Sequence, residues 1–380
     1  MSHATQGKVS ASAVRPMASG RVFNFSAGPA TMPLEVLEQL QADLVDLRGG
    51  GAGILEISHR GELFEKILQE SEDAFRKVGN ISQDYAVLFL PAGATQQFGM
   101  LPLNFLADGA SADYPDTGVW TSKAIADGKE VGKINEIWKG ADFGYRRTPR
   151  AGELKTTPGS TYLHYCSNNT VWGTRWVAPP QPAAGAWLAR DASSDIYAEP
   201  LDLKGCAFLY ASGQKNLGPS GMTMVVIRRD LLKAPVRKLP SMLRYDEHAK
   251  AESRLNTPAT FGMHAVGVMC QWILRQGGLV EMQSRAKTRS DLVLAAIRNS
   301  NGFWKANAES ECQSFVNVLF HAANPKLEPL FLKEAANAGL AALAGHKVTG
   351  GMRASMYNAM PVEGAKALAD VMVDFAQRNG

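Results

Sequence analysis

Cysteine is scarce in this chain. Four occur in 380 residues (Cys166, Cys206, Cys270 and Cys312), far apart and with no Cys-x-x-Cys pair. That spacing argues against a zinc ribbon or a disulfide framework; buried, reduced thiols are expected, and no metal site. Net charge is small too. Forty Lys and Arg set against 36 Asp and Glu leave +4, dispersed along the chain. This is no nucleic-acid footprint, and at most a mild pull on small anions. No apolar run approaches membrane-spanning length. Residues 1–20 lack acidic side chains, but they also lack an amphipathic helical pattern and an apolar leader core. They read as a disordered tail, and a cytoplasmic location is expected. With 45% hydrophobic and 20% charged residues, the remainder can bury a full core, in about two domains by length.

The most informative stretch is Ala207–Gly221. An apolar run ending at Tyr210 breaks into Ser212-Gly-Gln-Lys-Asn216, then Gly218-Pro219. A second apolar run, Met222 to Ile227, follows at once. Lys215 therefore sits in a small-residue turn between two buried strands. Burial disfavours the ammonium and makes a lysine nucleophilic toward carbonyls. A solvated surface turn is the plain alternative, and the neighbouring segments decide against it.

Along the chain, strand-like and helical segments alternate, which is the pattern of an α/β fold. A helix is expected from a Thr31 cap, with Pro33 in its first turn, to about Leu47. Another runs from the Ser58-His59-Arg60-Gly61 segment to about Val78. The strand from Tyr85 to Leu90 leads into Pro91-Ala-Gly-Ala94-Thr95 and a helix to Phe105, a turn that offers backbone N–H groups to an anion. Ser111–Tyr114 precedes a helix start carrying Trp120. Three runs then follow: Tyr162–Cys166 ends toward Thr170, Ala186–Arg190 ends at Asp191, and Cys206–Tyr210 ends in the Lys215 turn. Ligands of open α/β sheets bind beyond the carboxyl ends of the strands. Thr170, Asp191 and Lys215 are therefore expected to converge on one rim. After the Asn256-Thr257-Pro258 turn, a helix from Phe261 closes at Gly277-Gly278, where the domain boundary is placed. Helices over 279–296, 327–338 and 362–377 and strands near 314–320 and 345–355 complete a second α/β unit.

A nucleophilic lysine, a strand-end carboxylate, an anion cradle and a flat aromatic suit pyridoxal 5'-phosphate, which needs a lysine anchor and an acidic partner for its ring nitrogen. Lys215, Asp191, the Gly93-Ala94-Thr95 turn and Trp120 fill these parts.

The chain resembles the phosphoserine aminotransferases, pyridoxal-phosphate-dependent enzymes of fold-type I and the class-V aminotransferase family. The likeness runs from about Val22 to the C-terminus. It rests on Phe23-Asn-Phe-Ser-Ala-Gly-Pro-Ala30, Ser58-His-Arg-Gly61, His164-Tyr-Cys-Ser-Asn-Asn-Thr170, Ser212-Gly-Gln-Lys-Asn-Leu-Gly-Pro-Ser-Gly221, Asn256-Thr-Pro258 and Gly350-Gly-Met-Arg-Ala-Ser-Met-Tyr-Asn-Ala359. The resemblance implies a large cofactor-binding domain over 34–277 with a mostly parallel seven-stranded sheet. It implies a smaller α/β domain built from 21–33 and 278–380. It makes Lys215 the covalent anchor and proton carrier, and pairs Asp191 with the pyridine nitrogen. Trp120 stacks on the ring and Thr170 meets the ring hydroxyl side. Ala94, Thr95 and Gln214 hold the cofactor phosphate, joined by Asn256 and Thr257 from the neighbouring subunit of a homodimer. Arg353 takes the substrate α-carboxylate and Arg60 contacts glutamate and substrate, while His59, His346 and Lys347 bind the substrate phosphate. Glutamate and 3-phosphohydroxypyruvate are the implied substrates, in serine biosynthesis, with a second role in pyridoxine biosynthesis.

Two positions depart from the family pattern: bacterial members carry arginine where this chain has Thr95 and where it has Lys347. Lysine loses the bidentate fork, and threonine removes a charge. Other fold-type I enzymes remain as alternatives, a serine–pyruvate type aminotransferase or a cysteine desulfurase. A desulfurase needs a mobile reactive thiol, and none of the four cysteines lies in an obvious loop.

Overall fold

The computed structural model describes residues 17 and 19–380; most of the expected disordered tail lies outside the described residues. In chain order the strands are β1 (Phe23–Asn24), β2 (Tyr85–Pro91), β3 (Ser111–Asp116), β4 (Lys133–Lys139), β5 (Tyr162–Cys166), β6 (Asn168–Asn169) and β7 (Thr174–Arg175), then β8 (Trp187–Asp191), β9 (Cys206–Ser212), β10 (Met222–Arg228), β11 (Trp304–Ala306), β12 (Asn317–Ala322), β13 (Leu340–Ala341) and β14 (Met352–Ser355). The α-helices are α1 (Leu34–Val45), α2 (Glu62–Gly79), α3 (Gln96–Phe105), α4 (Val119–Val131) and α5 (Tyr245–Lys250), then α6 (Thr260–Arg275), α7 (Gly278–Arg298), α8 (Glu328–Asn337) and α9 (Val362–Asn379).

Seven strands form the main sheet in the order β2-β10-β9-β8-β5-β3-β4. Only β10 runs against the others, antiparallel to both β2 and β9. A sheet covered on both faces needs strands apolar on both sides, and the pleat divides them between two cores. On β2, Val87 and Phe89 face one core, while Ala86, Leu88 and Leu90 face the other. On β9, Leu209 and Ala211 face the first core and Phe208 and Tyr210 the second. Helices α2 and α6 cover the first face; they approach so closely that a Cβ on Gly267 would lie 2.3 Å from Ser71 Oγ. Helices α3, α4 and α5 supply Phe98, Ile125 and Tyr245 to the other face.

A separate core lies around the antiparallel sheet β11-β12-β14. Trp304, Phe320, Phe331 and Phe375 meet there largely edge-on, with the Trp304 and Phe331 centroids 4.8 Å apart, the packing that aromatic quadrupoles favour. Strand β1 pairs in parallel with β13, so Phe23 and Phe25 are buried in this same core although they begin the described chain. The chain then turns toward the main sheet, where Ala30 N–H donates to Gln214 O at 2.9 Å.

Several local expectations shift. Pro33 is the N-cap of α1, Thr31 makes no cap, and the helix stops at Val45 because residues 47–49 form a separate 3-10 turn. The glycine-rich 345–355 segment is a strand only from Met352; a Cβ on Gly345 would strike Gly350 O, so a tight turn occupies the start. Strand β4, with Lys133, Asn135, Glu136 and Lys139, has too polar a pattern to be seen from the sequence. It is the edge of the sheet, where one side of the ladder and part of its faces meet water.

The loop carrying Thr170 is clamped to β12 by buried amides. Asn168 Nδ2 donates to Asn317 Oδ1 at 2.8 Å, and Asn317 Nδ2 donates to Ser355 Oγ at 3.0 Å. Asn317→Ala strands these buried partners and is expected to cost about 2 kcal/mol. A thermal midpoint unchanged from the wild-type protein would show that the amide pair does not hold the loop.

Candidate active site

A cavity opens at the carboxyl ends of the parallel strands. Gly93, Ala94 and Thr95 follow β2, Trp120 follows β3, and Thr170 follows β5. Asp191 ends β8, and Gln214 and Lys215 follow β9; all line this one cavity. Chain positions more than a hundred residues apart are thus joined by strand order.

The Lys215 turn is held from both sides. Asn216 is buried; its Nδ2 donates to Ile196 O and its Oδ1 accepts from Asn358 N–H, each at 2.9 Å. Gly213 cannot carry a side chain, because a Cβ there would lie 2.7 Å from Pro219 O. So fixed, half-buried Lys215 reaches into the cavity and Nζ donates to Thr170 Oγ1 at 2.9 Å. Burial pushes its pKa below the ordinary lysine value, with Asp191 opposing more weakly.

Asp191 is 4% exposed and its Oδ1 accepts from Ser193 N–H at 2.9 Å. Burial raises its pKa, against the bonds from Ser193 and the charge of Lys215. The nearby guanidinium of Arg190 does not serve it, being committed to Asp195 at 2.8 Å. Asp191 therefore faces the cavity as a carboxylate seeking a cationic N–H partner.

Trp120 is placed by the start of α4. Asp116 Oδ1 accepts from Gly118 N–H, Thr121 Oγ1 and Ser122 Oγ, and its Oδ2 accepts from Tyr145 Oη at 2.9 Å. The indole Nε1 of Trp120 is buried with no partner among the described residues. At the other end, Ala94 and Thr95 precede the ten-residue α3, whose dipole favours an anion at its start. Ser212 Oγ donates to Gln214 Oε1, leaving that amide's N–H groups free for an acceptor.

These features fit pyridoxal phosphate: a depressed lysine, a buried carboxylate with no ion-pair partner among the described residues, an orphaned indole beside the cavity and a helix-start cradle. Arg353 lies at the edge, where Nη1 donates to Thr170 O at 3.3 Å. Burial, with the charges of Arg353, Lys347 and Lys123, lowers the His346 imidazole pKa. His59, Arg60, Asn256 and Thr257 do not line the cavity of the single chain; Arg60, Asn256 and Thr257 are exposed and His59 half-buried. Sequence reasoning missed Phe98, Cys166, Ser193 and Ser194 as lining residues. Cys166 was discoverable only through register: it pairs with Asp191, so both side chains share one sheet face. Ser193 and Ser194 were visible as the polar cluster after Asp191.

The model of the class-V aminotransferase family matches residues 22–368. A phosphoserine aminotransferase of Lysinibacillus sphaericus is 42% identical over 359 residues, covering 94% of this chain and 99% of the relative. The solved phosphoserine aminotransferase of Bacillus circulans subsp. alkalophilus superposes with a TM-score of 0.92 at 39% identity, over 95% of this chain and 99% of that one. A pyridoxal-phosphate-bound phosphoserine aminotransferase from Trichomonas vaginalis gives 0.87 at 31% identity, over 93% and 99%.

Two tests follow from the geometry. The neutral amine of Lys215 is the reactive form, so trapping of pyridoxal phosphate on this side chain by borohydride should rise with pH through a midpoint below the ordinary 10.5. A midpoint at or above that value contradicts the burial effect. Gly118→Ala, at φ +156°, would place a Cβ 2.8 Å from Asn169 Oδ1 and Trp172 Cδ1. It should cost about 1–3 kcal/mol of stability and loosen cofactor binding, measurable by thermal melts and by titration with the cofactor.

Proposed function

The chain belongs to the class-V aminotransferases and, within them, to the phosphoserine aminotransferases; on that premise we propose that it transfers the amino group of glutamate reversibly to 3-phosphohydroxypyruvate, giving phosphoserine and 2-oxoglutarate. The observation that carries the reading is the meeting of Lys215, Thr170, Asp191 and Trp120 in one cavity, with Arg353 at its edge.

Pyridoxal phosphate, when bound there, supplies an electron sink that makes the substrate's α-proton acidic. The residues do the rest. Lys215 would hold the cofactor through its amine, and the depressed pKa of that amine suits it to accept and return a proton at the substrate α-carbon. Asp191 would hold the ring nitrogen of the cofactor, its buried carboxylate favouring the protonated form. Trp120 would offer the ring a flat face, and Thr170 would offer its oxygen a hydroxyl. Ala94, Thr95 and Gln214 hold the cofactor phosphate. Asn256 and Thr257, exposed in one chain, would complete the site of a second copy in a homodimer. Arg353 orients the α-carboxylate with its planar fork. Arg60 contacts glutamate and substrate, and His59, His346 and Lys347 take the substrate phosphate. Cytoplasmic serine biosynthesis is the setting this implies, and 3-hydroxy-2-oxo-4-phosphooxybutanoate, on the way to pyridoxine, is a second acceptor. The desulfurase alternative finds no support: all four cysteines are buried, and burial pushes their thiols up.

Glutamate turnover with 3-phosphohydroxypyruvate should exceed turnover with oxaloacetate or pyruvate. Lys215→Ala should lower it by about 10²–10⁴-fold, the loss typical of a missing proton carrier. Preference for an unphosphorylated acceptor would reject the substrate assignment.

A further inference from the structure

Basic side chains gather around the edge of the cavity, and none of Lys123, His346, Lys347 and Arg353 has an ion-pair partner among the described residues. Three of the four belong to the 346–353 segment. Lys123 comes from α4, three residues after Trp120, and residues three apart share a helix face. Its Nζ lies 5.0 Å from the centroid of the Trp120 ring, within cation–π range. Trp120 lines the cavity, and Lys215 Nζ lies 5.8 Å from the same ring. The Lys123 ammonium, on an exposed side chain, is thus held against a ring that itself lines the cavity.

Charge balance gives this position a purpose. A phosphorylated 2-oxo acid brings a carboxylate and a phosphate carrying nearly two negative charges. Arg353 answers the carboxylate. His346 is held toward its neutral form by burial and by the surrounding cations, so it offers a hydrogen bond and little charge. Among the groups assigned to the phosphate (His59, His346 and Lys347) only Lys347 is a permanent cation; Arg60 is shared with glutamate, and Thr95 adds no charge.

We propose that Lys123 is a specificity-determining residue, whose ammonium, steadied on the Trp120 ring, binds the phosphate of the acceptor together with His346 and Lys347. This rests on the functional reading above. It adds a residue from a second element to the anion subsite, in a chain that lacks the arginine at position 95.

The test compares holoenzymes carrying Lys123→Gln, Lys123→Arg and the control Lys129→Gln, which removes an equal charge from the same helix. For Lys123→Gln, KM for 3-phosphohydroxypyruvate should rise about tenfold, while KM for glutamate and kcat stay within about twofold. Calorimetric titration with inorganic phosphate, whose cofactor subsite is already filled in the holoenzyme, should show a matching loss of affinity. Lys123→Arg should restore most of both, and Lys129→Gln should change neither. Unchanged phosphate affinity in Lys123→Gln overturns the inference and leaves the enzyme assignment standing. An equal rise in KM for glutamate also overturns it, because Lys123 would then merely steady Trp120. A wild-type enzyme indifferent to the acceptor's phosphate overturns the functional reading, and the inference with it.

Discussion

The hydrogen bond from Lys215 Nζ to Thr170 Oγ1 requires two separate segments of the chain to be held rigidly together. One partner rides on the turn after β9, the other on the loop after β5. Each is fixed by buried amides whose partners lie elsewhere: Asn216 reaches Ile196 and Asn358, and Asn168 reaches Asn317. A flexible lysine has rotamer freedom to lose, so an amine held at 2.9 Å requires a rigid surround. The same enclosure strips water from the ammonium and lowers its pKa. Positioning and activation therefore share one cause.

The sheet supplies the convergence. Because six strands run the same way, their carboxyl ends share an edge, and turns separated widely in sequence become neighbours there. The antiparallel β10 lets the chain return beside β9 directly after the Lys215 turn, so that turn is short and bounded by strands on both sides. Asp116 plays the comparable part at β3, gathering four donors to set the start of α4 and with it Trp120.

The second core contributes by reaching across. Met352–Ser355 brings Arg353 to the cavity edge, and Tyr357 Oη donates to Ala27 O at 2.8 Å, tying the N-terminal segment to it. A Cβ on Gly28 would lie 3.3 Å from Gln214 Cγ, so that segment packs directly against the lysine turn.

Much of this was legible in the residues. The continuous apolar runs of β2, β9 and β10 announce strands buried on both faces, and the small polar clusters after β5, β8 and β9 mark Thr170, Asp191 and Lys215 as rim residues. Local chemistry carries that information, because burial and turn formation act over a few residues. The edge strand β4 was not legible, since its polar pattern suits a half-wet position that only the finished sheet defines. Cys166 at the cavity and the partnering of Asn168 with Asn317 were equally hidden. Each depends on register or on contact between segments far apart, and those are settled by packing in three dimensions, where every element's position is fixed by neighbours that the linear order does not reveal.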